Sequence, residues 1–191
     1  MNKKKILITG SNGMLGSEIV SNNKYNFDFI YTTLNSIKNN HITLDITNVI
    51  AVKKILEIYN PDVIINCSAY TNVDQAENDR MLVHKINVDG LNNLIKYSNI
   101  NTKIVQISSD YVFDGINAPY DEKSKTFPLS YYGKTKLESE NILIGSNRKF
   151  LIIRPNVLFS EKGNNFFTFV YNNLFTDKKI NIVTDQISNP T

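Results

Sequence analysis

Tyr132 and Lys136 stand four residues apart in the run Tyr132-Gly-Lys-Thr-Lys136. On a helix, that spacing puts the phenol and the ammonium on one face. A phenol with a reference pKa of about 10 exchanges protons poorly near neutrality. A fixed cation a few ångströms away favours the phenolate and draws the pKa toward the working range. The pair is therefore a candidate acid/base. Tyr131 is not, because four residues on lies Thr135. Upstream, Gly10-Ser-Asn-Gly13-Met-Leu-Gly16 falls between an apolar strand and a helix. There the first glycine permits a tight turn, the second lets backbone amides approach a pyrophosphate, and the third lets helix pack closely on sheet. Asn12, Met14 and Leu15 belong to the same cradle, at the positive end of the helix dipole. The spacing is Gly-x-x-Gly-x-x-Gly instead of Gly-x-Gly-x-x-Gly. In this order, the two motifs describe a dinucleotide-binding fold carrying a tyrosine acid/base.

The elements that must position them alternate almost from end to end. Lys5–Thr9 reads as a strand, Met14–Asn22 as a helix, Phe27–Thr32 as a strand, and Ile42–Leu44 as a short strand ending at Asp45. Asn48–Tyr59 places Val49, Val52, Ile55, Leu56 and Tyr59 on a helical period, and Pro61-Asp62 stops it. Val63–Asn66 is a strand, Asp79–Ser98 a long helix, Lys103–Ser108 a strand and Tyr132–Ile144 a helix. Phe150–Arg154 and Ile180–Val183 read as strands, with a helix at Phe166–Phe175. Continuous apolar strands separated by helices predict an α/β fold, a parallel sheet covered on both faces.

Composition fits one globular domain. The 191 residues are 41% hydrophobic and 20% charged, with a net charge of +3. The dense basic run Lys3-Lys4-Lys5 reads as a solvated terminus, and no basic stripe interleaved with aromatics points to nucleic acid. Cys67, the single cysteine, rules out an internal disulfide and reads as an inert strand-end thiol. His41 and His84 are unclustered and read as structural or surface residues, so no metal site is expected. No apolar stretch approaches the roughly 20 residues of a membrane span. The expected location is the cytoplasm.

Cofactor choice turns on the second strand, which ends Tyr31-Thr32-Thr33-Leu34 without the carboxylate usual at NAD sites. A 2′-phosphate would meet no repulsion there, and the threonine hydroxyls, Thr32 first, could bond it. This favours NADPH, with NADH tolerated. Asp45, followed by Ile46, either accepts from the adenine amino group or caps the helix that begins near Asn48.

Further segments carry a resemblance. They are Leu44-Asp-Ile-Thr-Asn48, Pro61-Asp-Val-Ile-Ile-Asn-Cys-Ser-Ala-Tyr-Thr-Asn-Val-Asp-Gln-Ala-Glu77, Ile86-Asn-Val-Asp-Gly90 and Ile107-Ser-Ser-Asp-Tyr-Val-Phe-Asp-Gly115. To these add Pro128-Leu-Ser-Tyr-Tyr-Gly-Lys-Thr-Lys-Leu-Glu138, Gly163-Asn-Asn-Phe166 and Thr184-Asp-Gln-Ile-Ser-Asn-Pro-Thr191. With the glycine loop, they make the whole chain resemble the extended short-chain dehydrogenase/reductases, and within them the dTDP-4-dehydrorhamnose reductases. The resemblance implies a Rossmann-type parallel sheet and NADPH-dependent reduction of a nucleotide-sugar ketone. Ser109 would take the place of the catalytic Thr/Ser, with Ser108 turned to the opposite face by strand alternation. Tyr132 would be the proton donor and Lys136 the residue that binds the nicotinamide ribose. Asn87 matches a helix asparagine that organises active-site water and the lysine, or else is a solvated helix position. Ser68, Ala69 and Tyr70 would flank the cofactor. Val73, Asp74 and Glu77 would line the substrate side or start a helix.

Where that family shows Arg-Thr-Ser-Trp-Val-Tyr-Gly, this chain reads Arg154-Pro-Asn-Val-Leu-Phe-Ser160, so no tryptophan carries over. The family also continues beyond its Asp-Gln…Pro-Thr segment. Residues 1–191 are thus expected to be the cofactor domain, with a C-terminal substrate-binding portion, and any homodimer contact, in a longer protein. Two other readings remain open at this point. One is a different nucleotide-sugar reductase, epimerase or dehydratase, although Asp110-Tyr111 lacks a dehydratase's usual Asp-Glu pair. The other is a non-catalytic NADP-binding module, like the regulatory subunit of methionine adenosyltransferase, which resembles the same family.

Overall fold

Apolar strands alternate with helices along most of the chain, and in the computed structural model they build one parallel sheet. The structure describes residues 3–22, 24–35, 40–161, 163, 165–176, 179–182, 184–185, 187 and 191. The strands are β1 (Lys5–Thr9), β2 (Asp28–Thr33), β3 (His41–Thr43), β4 (Val63–Asn66), β5 (Lys103–Ile107) and β6 (Phe150–Ile153). Their spatial order is β3-β2-β1-β4-β5-β6, with every pairing parallel. The direction of strand order reverses between β1 and β4, the switch point where α/β sheets bind ligands beyond the strands' carboxyl ends. This is a Rossmann-type fold.

The helices are α1 (Met14–Ser21), α2 (Val49–Tyr59), α3 (Arg80–His84), α4 (Gly90–Tyr97), α5 (Tyr131–Ile144) and α6 (Phe166–Asn173). One apolar cluster joins Leu7, Ile30 and Ile64 of the sheet to Val52 and Leu56 of α2 and Leu94 of α4. A second joins Ile104 of β5 to Leu91 and Ile95 of α4 and Leu143 of α5. Asn48 caps α2, its side chain accepting from the Ala51 N–H at 3.1 Å.

The predicted helix over Asp79–Ser98 is interrupted. Between α3 and α4 lies one wide π turn, Lys85–Asp89. Within it the Asn87 carbonyl lies 2.9 Å from Ser139 Oγ on α5, a contact across two helices at the widened turn. Of the predicted strand Ile180–Val183, residues 180–182 are not strand, and Val183 lies outside the described residues. Within the Thr184–Thr191 segment, Gln186 and residues 188–190 also lie outside them. Among the described residues, no helix is long and apolar enough to cross a membrane.

Candidate active site

The site begins at the carboxyl end of β1. Gly10 adopts φ +60°, and a Cβ there would lie 3.0 Å from the Cys67 carbonyl carbon and the Ser68 nitrogen. Only glycine accepts that conformation without strain. Its carbonyl takes the Gly13 N–H at 2.9 Å. Gly16 is buried against the Gly10–Ser11 backbone, and a Cβ would lie 2.8 Å from Ser11 Cα. Gly13 heads α1 with extended backbone and no side-chain cap. Asn12 and Gly13 are exposed, while Met14 and Leu15 are half-buried. The loop thus presents uncapped amides in a cradle that any Cβ would fill, which fits a dinucleotide pyrophosphate.

The predicted flanks of this cradle divide. Thr32 is fully buried, and its hydroxyl donates to the Ile8 carbonyl at 3.0 Å. It therefore cannot serve a 2′-phosphate as the sequence suggests, because β-alternation turns it into the sheet. Thr33, one residue on, is 1% exposed, and its hydroxyl has no hydrogen-bond partner among the described residues. Asp45 is not the cap of α2, a role taken by Asn48. Its carboxylate accepts from the Thr47 N–H at 2.8 Å. Ile46 is buried against Gly90, where a Cβ would meet its side chain at 2.6 Å. His41, read as structural, is buried with Nδ1 3.1 Å from Ser11 Oγ, and so braces the glycine loop. His84 lies near the surface, 3.3 Å from Glu138 and 3.5 Å from Asp89.

A buried polar chain crosses the carboxyl ends of the strands. Thr9 Oγ1 donates to Asn66 Oδ1 at 2.6 Å, and Asn66 Nδ2 to Gln106 Oε1 at 2.8 Å. Gln106 Nε2 donates to the Ile107 carbonyl at 3.1 Å. That carbonyl also receives Lys136 Nζ at 2.6 Å. Ser68 N–H joins the chain by donating to Thr9 Oγ1 at 3.3 Å. Ser68, Ala69 and Tyr70 follow β4 half-buried, beside the glycine loop.

Helix α5 carries the predicted acid/base pair. Ser130 caps it through the Gly133 N–H at 3.1 Å, and Glu77 Oε1 accepts the Tyr131 N–H at 2.6 Å. Glu77 is thereby a brace for this helix, and Arg80 holds its other oxygen at 2.8 Å. Val73 packs with Tyr132, whereas Asp74 is exposed. Tyr132, Thr135, Lys136, Ser139, Glu140 and Leu143 share the buried face of α5. Five of these six are polar, the reverse of an ordinary amphipathic helix.

Tyr132 is 8% exposed and packs edge-on against Tyr111, ring centroids 5.8 Å apart. Burial pushes its phenol up to about 12, with a hydrogen bond from Ser109 acting the other way. The expected downward pull of Lys136 on Tyr132 is not what governs this phenol, since the ammonium is turned onto the Ile107 carbonyl. Burial lowers Lys136 to about 8, and Glu140 opposes that fall. Ser109 Oγ donates to Asp110 Oδ1 at 3.1 Å and accepts the Tyr111 N–H at 3.2 Å. Burial raises the Asp110 carboxyl above its usual range. Ser108 points the opposite way, as alternation requires, and donates to Glu140 Oε1 at 2.5 Å. Asn87 is buried and clamps two elements. Its Oδ1 accepts the Tyr70 N–H at 2.8 Å, and its Nδ2 donates to Thr135 Oγ1 at 3.1 Å. It is thus not a solvated helix position. Cys67 is half-buried, and burial pushes its thiol up to about 12, consistent with an inert group.

Ser109 lies within hydrogen-bond reach of Tyr132, and Lys136 follows one turn later on the same buried face of α5. Its ammonium sits on the end of β5, near Cys67, against which Gly10 packs. Glu140 and Arg154, ion-paired at 2.6 Å, were not singled out from sequence. The available signal was periodicity: Glu140 lies four residues after Lys136 and eight after Tyr132, on one face.

Comparison with known proteins places this geometry. The model of the RmlD substrate binding domain matches residues 4–191. A dTDP-4-dehydrorhamnose reductase from Aggregatibacter actinomycetemcomitans is 36% identical over 98% of this chain and 63% of its own length. The crystal structure of dTDP-4-dehydrorhamnose reductase from Bacillus anthracis in complex with NADP superposes with a TM-score of 0.80 at 34% identity, over 90% of this chain and 60% of that one. Methionine adenosyltransferase 2 subunit beta from Bos taurus is 34% identical over 83% of this chain and 48% of its own length. The chain spans less than two thirds of the length of these relatives. It belongs to the family described by the RmlD substrate binding domain, among the relatives of the dTDP-4-dehydrorhamnose reductases.

Proposed function

We propose that residues 1–191 are the cofactor domain of an NADPH-dependent reductase of a nucleotide-sugar ketone, and that the full-length protein reduces dTDP-4-dehydro-6-deoxy-L-mannose at C4 to dTDP-L-rhamnose. The observation that carries this reading is the grouping of Ser109, Tyr132 and Lys136 at the carboxyl end of β5, the edge of the sheet on which the Gly10–Gly16 loop also lies. The cofactor, when bound, supplies the hydride. The Gly10–Gly16 amides hold its pyrophosphate, and the Asp45-Ile46 and Ser68-Ala69-Tyr70 turns flank it. Lys136 and Asn87 support the nicotinamide end, Asn87 by fixing Tyr70 and Thr135.

Ser109 hydrogen-bonds the ketone oxygen and stabilises the negative charge that develops there. Tyr132, held as a neutral phenol by burial, gives its proton to that oxygen. A phenol that stays protonated through neutral pH is a suitable donor for a strongly basic alkoxide. The remaining sugar contacts lie in the C-terminal portion expected from sequence.

The test is NADPH consumption by the full-length protein with dTDP-4-dehydrorhamnose, beside a Tyr132→Phe variant. Turnover that collapses in the variant supports the reading. NADPH binding without any turnover of that sugar overturns it and favours a regulatory role, like that of the methionine adenosyltransferase subunit.

A further inference from the structure

Glu140 is 1% exposed, yet it is a carboxylate. A buried charge of that kind is costly to leave without partners. Three donors pair it. Arg154 Nε reaches Oε1 at 2.9 Å, Arg154 Nη2 reaches Oε2 at 2.6 Å, and Ser108 Oγ reaches Oε1 at 2.5 Å. Arg154 is itself fixed over the Phe113 ring, 5.2 Å from its centroid. The strand ends of β5 and β6 thus hold one carboxylate against α5. One turn up the same face sits Lys136, 2% exposed, with Nζ on the Ile107 carbonyl.

We propose that Glu140 is a positioning residue of the reductase site: clamped by Arg154 and Ser108, it keeps the neighbouring Lys136 ammonium charged and seated, and so sets the alkaline limit of turnover. This rests on the reductase reading for its kinetic consequence, but not for its effect on the lysine. The other titratable groups around Lys136 do not supply the needed negative charge. Cys67, after β4, stays a neutral thiol because burial pushes it up to about 12. Tyr132, on α5, stays a phenol for the same reason. Asp110, after β5, is hydrogen-bonded to Ser109 and bears on Tyr132 and Tyr111, not on Lys136. Arg154, behind Glu140, is a cation and acts in the opposite sense.

Two substitutions should therefore move Lys136 in opposite directions, a pattern that a purely structural role would not produce. Glu140→Gln removes the anion and leaves the Arg154 charge unmatched, so the lysine loses its proton at lower pH. Arg154→Met leaves the Glu140 anion unmatched, so the lysine holds its proton to higher pH.

The experiment is an NMR titration of the full-length protein labelled with 13C at lysine Cε, with the Lys136 resonance assigned by its loss in Lys136→Met. Beside it, the pH profile of NADPH oxidation with the nucleotide-sugar ketone is recorded. In Glu140→Gln, the Lys136 midpoint and the alkaline limb should both fall by roughly one pH unit or more, which is about a fivefold loss of turnover at pH 8. In Arg154→Met both should rise. If one variant fails to fold, the other still decides. A Lys136 midpoint that stays in place in a folded variant overturns the proposal. If the protein turns over no sugar while the midpoint moves as stated, the reductase reading fails, but Glu140's control of Lys136 stands.

Discussion

Replacing Lys136 by methionine should abolish turnover while sparing stability at neutral pH, and the sign of the stability effect should depend on pH. Burial brings the Lys136 pKa from its ordinary 10.5 to about 8. The unfolded chain holds the proton up to the higher value, the folded chain only to the lower one. Between them the unfolded state binds more protons, so wild-type stability rises with pH across that window. At about 1.4 kcal/mol per pH unit, the drop from 10.5 to about 8 corresponds to roughly 3 kcal/mol acting against the fold at pH 7. Methionine fills a similar volume with no charge to desolvate, but gives up the bond to the Ile107 carbonyl, a loss of about 1–3 kcal/mol. The two effects nearly offset at pH 7. By pH 10 most of the charge penalty has gone, and the variant should be the weaker protein. Urea unfolding of both proteins at intervals from pH 7 to 10 measures this. The stability difference should swing by roughly 2.5 kcal/mol in favour of the wild type. A difference that stays constant with pH would refute the reasoning, because Lys136 would then titrate as an ordinary exposed lysine.

Ser109→Ala should lower kcat about 10²–10³-fold, as loss of one oxyanion donor does, without changing NADPH affinity in a fluorescence titration. Ser108→Ala, next to it, should leave the ketone step intact and act only through Glu140, so equal losses from the two substitutions would contradict their opposite orientations. Gly16→Ala places a Cβ 2.8 Å from Ser11 Cα and should abolish NADPH binding, read by calorimetry, while the protein stays folded by circular dichroism. Asn87→Ala removes the clamp between Tyr70 and Thr135 and should cost about 1–3 kcal/mol in unfolding free energy, because it leaves the buried Tyr70 N–H without a partner.

Much of the fold was legible because strands and helices were written with different periods. The Val49–Tyr59 repeat and the bare apolar run Val63–Asn66 each had one reading, and β1 to β6 fall within a residue or two of expectation. The π turn at Lys85–Asp89 was not legible. It carries a contact to Ser139, fifty-two residues away, at the Asn87 carbonyl, and no local propensity encodes such a long-range partner. Thr32 failed for a related reason: both threonines suit a phosphate by type, but the pleat decides which hydroxyl is spent on the sheet. At the candidate site, motif spacing put Tyr132 and Lys136 on one buried helix face, as the structure has them, but misjudged their coupling. A four-residue interval fixes a shared face, not a contact, and the Ile107 carbonyl competes for the ammonium. Glu140 escaped notice because buried carboxylates are rare and a helical Glu ordinarily reads as solvated.

The central claim is hydride delivery to the sugar at a site built from Ser109, Tyr132 and Lys136. Its most direct test is to incubate the full-length protein with NADPH deuterated at the transferring C4 position and dTDP-4-dehydrorhamnose, then locate the label in the product by NMR. Deuterium is expected at C4 of the sugar ring of dTDP-L-rhamnose with the wild type, and no product with Tyr132→Phe. Unlabelled product, label at another carbon, or product formed undiminished by the Tyr132→Phe protein would contradict it.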